Sequence, residues 1–302
     1  MASIDKKYHK LLNKILTKGY KYEDPNRKGV YRFQIPNYTI KHDFKDGFPA
    51  ITTKKLYWKG VVGELLTFLR GSTELKDLHN NKVRFWDKDA FNYYIKRNPK
   101  GTEKTFKEGI TDRNHISGDL GKIYPHQMRK WNNQIDQISS LISNLKNNPL
   151  ATKKTVTMWN PSDLGESCLS PCHWSFEVLV EPLNFNQRVD IWSKNNPNSA
   201  AFHTEKGLTR LNIPKYQFIL KWHQHSCDSF LGIPMNIAYY ALLAQIIGKL
   251  TNMIPKGIIG DLSNVHIYEP HLDAVKEQLK RETDKFWEPL QLEEFTGFKM
   301  DM

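Results

Sequence analysis

Apolar residues at Tyr8, Leu11, Leu12, Ile15 and Leu16 recur every three or four positions, the period that gathers them on one side of an α-helix, so the chain is expected to open with an amphipathic helix. Glu23-Asp24-Pro25-Asn26 breaks that pattern with a turn. Residues 30–35 and 38–44 then alternate with the two-residue period of half-buried strands. A helix is predicted over 58–69, apolar except for Glu64, a carboxylate in an oily setting. Helical spacing returns at Trp131, Ile135, Ile138, Ile142 and Leu145 and stops at Asn147-Asn148-Pro149. Residues 155–159, 173–180 and 216–222 read as strands, 236–250 as a strongly apolar helix, 258–268 as a further strand and 270–282 as a final amphipathic helix. Between them, residues 88–117 and 185–213 turn polar and Lys/Asn-rich and are expected to be loop insertions on the surface. The pattern as a whole predicts a mixture of α and β.

Composition adds that a chain of 302 residues, 39% hydrophobic, can bury a substantial core. Its formal charge of +12 favours anionic partners, but charge alone does not choose among nucleotides, polyglutamate tails and nucleic acid. Lys6, Lys7 and Lys10 interrupt the N-terminal pattern and no long uncharged apolar run follows, so a soluble, cytoplasmic protein without a membrane partner is expected. Cys168, Cys172 and Cys227 make an odd count, which fits a reducing compartment rather than a disulfide framework. No paired Cys-x-x-Cys spacing suggests zinc, no metal is expected, and no glycine-rich run matches a phosphate-loop or dinucleotide fingerprint.

Candidate chemistry centres on Pro171-Cys172-His173, just ahead of the strand predicted at 173–180. A cysteine attacks as its thiolate, so a pKa ordinarily near ~8.5 has to be lowered by cations or hydrogen-bond donors. Alone, such a cysteine reads more readily as a small buried apolar residue. Its company changes that reading. Trp159-Asn160-Pro161, Pro171-Cys172-His173 and the run Gln224-His225-Ser226-Cys227-Asp228-Ser229-Phe230-Leu231-Gly232-Ile233-Pro234-Met235-Asn236-Ile237-Ala238 closely resemble the signature of the thymidylate synthase family. Asp46-Gly47-Phe48-Pro49, Thr52-Thr53-Lys54-Lys55, Glu64-Leu65-Leu66, Phe85-Trp86-Asp87, Gly118-Asp119-Leu120-Gly121, Tyr124 and His266-Ile267-Tyr268 match it further, in the family's order.

The resemblance implies one α/β (α+β) domain over residues 1–302, with a large, mostly antiparallel sheet flanked by helices, and a homodimer that pairs through the sheet face and shares its active sites. It implies dUMP as substrate and 5,10-methylenetetrahydrofolate as cosubstrate. Cys172 would attack C6 of the pyrimidine, a covalent route; Glu64 would organise proton transfer, Tyr124 would help remove the C5 proton, and Asn236 would read the uracil edge. An asparagine at the start of a helix is, by itself, as well explained as a cap. Gln224, Ser226, His266 and Tyr268 would complete the nucleotide site, the last two at the sugar hydroxyl. For the folate, Asp228 would meet the pterin, Trp86, Leu231 and Gly232 would wall it, and Lys54 would meet the glutamate tail.

Departures from the pattern concentrate at the phosphate. Arg27 and Ser226 match, but His225 stands where an arginine is expected, and Lys153 and Lys154 stand for two arginines that reach across the dimer. Lysine supplies charge without the guanidinium fork that grips two oxygens at once. Thr67, Met235 and Ser263-Asn264 also differ, and Lys299-Met300-Asp301-Met302 does not match the family's apolar closing tail. Because exclusion of water decides whether the exocyclic methylene receives hydride or hydroxide, a viral-type dUMP (deoxypyrimidine) 5-hydroxymethylase is the alternative product assignment. A catalytically weakened nucleotide- or RNA-binding paralogue is the alternative from another class, although no aromatic-basic cluster resembling an RNA-binding motif is present and nucleic acid is not the expected partner.

Overall fold

The computed structural model describes residues 3–25, 27–111, 115–196 and 204–282. The expectations that fall on Asn26 and on 299–302 lie outside the described residues. Helix α1 (Ser3–Lys18) carries an acid in its first turn and a lysine in its last, complementing the helix dipole, and buries Tyr8, Leu11, Leu12 and Ile15 completely. Strand β1 (Tyr20–Glu23) follows, then β2 (Tyr31–Asp43). The two strands expected at 30–35 and 38–44 are thus one. Pro36 is tolerated because it lies beyond the stretch paired with β1 and falls between the registered pairs Ile35↔Val265 and Asn37↔Ser263. The residue it faces there, Asn264, has φ 50°, a left-handed conformation that asparagine adopts more readily than most residues.

Helix α2 (Trp58–Leu69) has the bounds expected of it, and α3 (Leu75–Asn80) follows. The segment expected as the first insertion is helical: α4 (Asp87–Arg97), α5 (Glu103–Thr111) and α6 (His115–Gly118) occupy it. Phe91 and Tyr94 meet Phe106 at 5.2 and 5.5 Å between ring centroids, a small aromatic core inside a Lys/Asn-rich shell. Helices α7 (Tyr124–Lys130) and α8 (Gln137–Asn147) lead to β3 (Thr155–Thr157) and β4 (His173–Pro182). The second expected insertion also carries helices, α9 (Phe185–Asn195) and α10 (Glu205–Arg210), the first closed by a reciprocal capping box between Asn184 and Gln187. Then come β5 (Tyr216–Gln224), the two-residue β6 (Cys227–Asp228), α11 (Gly232–Thr251), β7 (Ile254–Tyr268) and α12 (Leu272–Leu279).

The strands form one sheet in the order β1-β2-β7-β5-β4-β3, with β6 added to β7. All neighbours are antiparallel except β5 with β7 and β6 with β7, so the sheet is mostly antiparallel. The parallel pair needs a long crossover, and α11 supplies it. That helix is apolar nearly all round, with Tyr239, Tyr240, Leu242, Leu243, Ile246 and Ile247 buried, because it is the central helix between the sheet and α2 and α8. Among the described residues no helix is long and apolar enough to cross a membrane. The topology has one consequence for function: the start of β4, the ends of β5 and β7, and the first turn of α11 all reach the same end of the sheet.

Candidate active site

Cys172 stands immediately before β4, at an irregular start where the register slips between His173 and Ser175, the kind of kink that re-aims side chains at sheet edges. Its backbone N–H donates to the Tyr124 hydroxyl at 2.7 Å, and its carbonyl accepts from the His225 N–H at 2.9 Å, so two elements fix the thiol's position. Burial pushes the Cys172 thiol above its ordinary value; hydrogen bonding by Ser226 and Tyr124 pulls it back, while the charges of Asp89 and Asp228 add to the rise. The neighbouring His173 is buried, bonds the Tyr240 hydroxyl through Nδ1 at 2.7 Å and stacks on Tyr124 at 4.2 Å. Its desolvation pushes its pKa down to about 3, so it stays neutral and acts as a wall rather than a proton carrier.

Gln224 ends β5 and decides how Asn236 is turned. Its Nε2 donates to the Ser226 carbonyl at 3.0 Å and its Oε1 accepts from the Trp222 indole at 3.3 Å, which fixes which end of the amide is which. That same Nε2 donates to Asn236 Oδ1 at 3.2 Å, leaving Asn236 Nδ2 as a donor and one lone pair on Oδ1 as an acceptor. This pair complements O4 and N3–H of a uracil and opposes the reversed edge of a cytosine. On β7, His266 Nδ1 bonds the Asn264 carbonyl at 2.7 Å and so carries the proton, which leaves Nε2 as an acceptor; Tyr268 meets this ring edge-on at 4.9 Å.

Glu64 projects from α2 and accepts from the Trp86 indole N–H at 2.7 Å. The residue is partly exposed, yet desolvation around the carboxylate pushes its pKa up to about 7, where the group can both give and take a proton. Trp86 meets Tyr124 edge-on at 6.1 Å, which joins the glutamate to the cysteine through a run of aromatic contacts. Asp228, at the end of β6, accepts the N–H groups of Phe230 and Leu231 on one oxygen, each at 3.0 Å, and shapes the turn into α11. Leu231 is 51% exposed on that turn, beside Gly232. Lys54 reaches the same turn, donating to the Phe230 carbonyl at 2.5 Å with its ammonium 3.9 Å from the centre of the Phe230 ring.

A cysteine, an oriented asparagine amide, a carboxylate titrating near neutrality, and an aspartate and a lysine that bond the same turn are thereby gathered at one end of the sheet. A family model described as thymidylate synthase matches residues 6–301. The chain belongs to the thymidylate synthase family. It is 35% identical over 274 residues to a "Probable thymidylate synthase" of Escherichia phage T5, an alignment covering 91% of this chain and 82% of that one. It is 34% identical over 284 residues to the thymidylate synthase of Mycoplasma genitalium, covering 92% and 86%, and 32% identical over 282 residues to that of Mesoplasma florum, covering 91% and 85%.

Of the cations expected at the phosphate, Arg27 lies over a residue of the site, Tyr268, whereas Lys154 turns back into its own chain. Arg27 is exposed, with its guanidinium 4.9 Å over the Tyr268 ring. Lys153 is exposed, whereas Lys154 is 3% exposed, points back into its own chain and donates to the Ala151 carbonyl. His225, in place of the family's arginine, packs edge-on against Trp159 at 4.8 Å, and burial lowers its pKa. It therefore brings no fixed positive charge to Cys172. Asp89 was invisible as a site residue in the sequence, yet it lies one turn after Trp86 on α4, half-buried, with its pKa raised by burial. A cavity of about 560 Å³ between α9, α10 and the far ends of β4 and β5 contains none of these residues. No cluster of three or more metal-binding side chains occurs among the described residues.

Proposed function

We propose that the protein is a thymidylate synthase that methylates C5 of dUMP, with 5,10-methylenetetrahydrofolate as cosubstrate. The observation that carries this reading is the geometry around Cys172: a rigidly held thiol beside Ser226 and Tyr124, with the Asn236 amide pinned by Gln224 in the orientation that suits uracil. Cys172 Sγ adds to C6 and sends the electron pair to C5, which takes up the methylene carbon. Asn236 Nδ2 donates to O4 and Oδ1 accepts N3–H, stabilising charge as it develops on the ring. Glu64, poised about neutrality, relays the proton at O4; the Tyr124 hydroxyl, next to Cys172, assists departure of the C5 proton. The folate supplies the one-carbon unit and the hydride: its nitrogen–methylene bond breaks as the C5 proton leaves, hydride completes the methyl group, and Cys172 Sγ departs from C6 to restore the C5–C6 double bond.

His266 Nε2 and the Tyr268 hydroxyl hold the sugar, Ser226 and Arg27 the phosphate, and Lys54, Trp86, Asp228, Leu231 and Gly232 the folate. We take residues 1–302 as a single domain that works as a homodimer with shared sites. Because Lys154 turns into its own chain, Lys153 is assigned the contact across to the partner's phosphate.

The test is a product assay with dUMP and methylenetetrahydrofolate, read by mass. Formation of dTMP together with an equal amount of dihydrofolate is expected; 5-hydroxymethyl-dUMP without dihydrofolate would replace hydride by water as the second reagent. Cys172→Ala is expected to abolish the covalent adduct with 5-fluoro-dUMP while leaving the circular dichroism spectrum unchanged, and an undiminished adduct would remove Cys172 as the nucleophile.

A further inference from the structure

The carboxylate of Asp5, 0% exposed on the first turn of α1, is a hydrogen-bond acceptor for a loop far along the chain. The Thr52 N–H and hydroxyl donate to it at 2.9 and 2.6 Å, and the Thr53 N–H and hydroxyl approach at 3.4 Å each. From the opposite side, the last turn of α12 grips the same loop: Gln278 Nε2 donates to the Thr53 hydroxyl at 3.0 Å, and Arg281 just beyond it donates to the Thr53 carbonyl at 3.3 Å. The next residue is Lys54. Its ammonium spans to the Phe230 carbonyl, a neutral acceptor, and makes no salt bridge with a carboxylate among the described residues.

The facing wall hangs from the same helix. Tyr8, one turn after Asp5 on the buried side of α1, donates to the Ser229 carbonyl at 2.7 Å, in the turn that Asp228 caps and that Lys54 contacts. One helix thus sets both sides of the gap that Lys54 crosses. A lysine stem gives up many rotamers when it is held, so a lysine meant to meet a flexible anion gains from having its backbone fixed beforehand.

We propose that Asp5, Thr53 and Gln278 form a positioning relay that presets Lys54 for the anionic glutamate tail of the folate, so that α1 and α12 together set the preference for polyglutamylated cosubstrate. The inference rests on the assignment of Lys54 to the tail. None of the three relay residues touches the reacting atoms; they act through the lysine, and the effect belongs in the tail-dependent part of kcat/KM.

The experiment compares monoglutamyl with pentaglutamyl methylenetetrahydrofolate on the full-length enzyme. Asp5→Asn and Thr53→Val are expected to reduce the pentaglutamyl preference in kcat/KM by about fivefold, the scale of one ordinary lost hydrogen bond. KM for dUMP and kcat at saturation should stay within about twofold of the parent enzyme, as a change confined to binding the tail requires. Thr53→Ser keeps the hydroxyl and should restore the preference. In a Lys54→Ala background, Asp5→Asn should change nothing further, because a relay has nothing left to act upon. A preference lost in Lys54→Ala but intact in Thr53→Val overturns the relay alone. A preference that survives Lys54→Ala overturns the tail assignment and the relay with it. Should Asp5→Asn fail to fold, the Thr53→Val and Thr53→Ser pair decides the question.

Discussion

Glu64 holds a protonation state at the expense of stability, and that exchange can be measured without substrate. Its carboxyl, ordinarily near 4.5, is pushed up to about 7 by burial, with the Trp86 N–H only partly offsetting the rise. A group whose folded pKa exceeds its unfolded one contributes stability that is complete below the unfolded value, here about 4.5, and lost as pH rises through about 7. Spread over that gap, ionisation of the folded protein costs at most about 3 kcal/mol, and the partial exposure of the residue reduces this to roughly 2. Glu64→Gln keeps the shape and the acceptor oxygen for Trp86 but never ionises. It should therefore match the parent near pH 4.5 and exceed it progressively up to about pH 7.5, levelling off above that.

For a chain of 302 residues the unfolding entropy converts roughly 2 kcal/mol into about 3 °C of melting temperature. The assay is differential scanning calorimetry of both proteins at half-unit pH steps from 4.5 to 8.5, accompanied by kcat measurements. The variant should be the more stable protein above neutrality and the much poorer catalyst, with kcat down by about a hundredfold or more, since proton relay is lost. A stability difference that is flat across the pH range, or that favours the parent at pH 8, would refute the account of Glu64 as a carboxylate held out of water.

Asn236→Asp should reverse the donor-acceptor edge and raise the dCMP-to-dUMP ratio of kcat/KM by about a hundredfold or more in a competition assay; an unchanged ratio would separate Asn236 from base recognition. His225→Arg should lower the pH midpoint of Cys172 alkylation by iodoacetamide by about one unit, because a permanent cation replaces an imidazole that burial keeps neutral, and an unmoved midpoint would show that position 225 does not reach the thiol. Gly260→Ala should cost about 3 kcal/mol in urea unfolding, since its Cβ would fall 2.3 Å from the buried Trp222 ring, whereas Gly165→Ala, with nothing within 4 Å, should be close to neutral.

Much of this architecture was legible in the sequence because burial on one side leaves a period. The helix at Trp58–Leu69 and the strand carrying His266 and Tyr268 both advertised their apolar faces. Two features were hidden for definite reasons. The Lys/Asn-rich stretch after Trp86 hides its helices because the side chains they bury, Ala90, Tyr94 and Phe106 in the core with Phe91 packed against them, are few and scattered among lysines, which leaves a faint period. The fate of Lys154 was hidden because a pair of adjacent lysines suggests two outward charges, while consecutive residues at a strand entrance point opposite ways, so one of them turned inward. The relay through Asp5 was out of reach for a different reason, as its bonds to Thr52 and Thr53 join positions 47 and 48 residues apart.

Hydrogen-bond accounting separates the ligand-facing groups from the merely buried ones. His9 Nε2, His42 Nδ1 and His126 Nε2 are buried without a partner and sit in the structural part of the molecule, where each imposes a cost. Asn236, Asp228 and His266 differ: each has one polar atom committed to the protein, through Gln224, the Phe230 and Leu231 N–H groups, and the Asn264 carbonyl respectively. The second polar atom of each is not among the buried unpartnered atoms. One bond fixes orientation and the other atom is left for a guest, which is how a site can be rigid before its substrate arrives and still avoid the penalty of a buried, unpaired polar group. Three such half-committed side chains, drawn from β6, α11 and β7, converge only because β5, β6 and β7 run parallel, carrying their final residues to the end where β4 begins with Cys172.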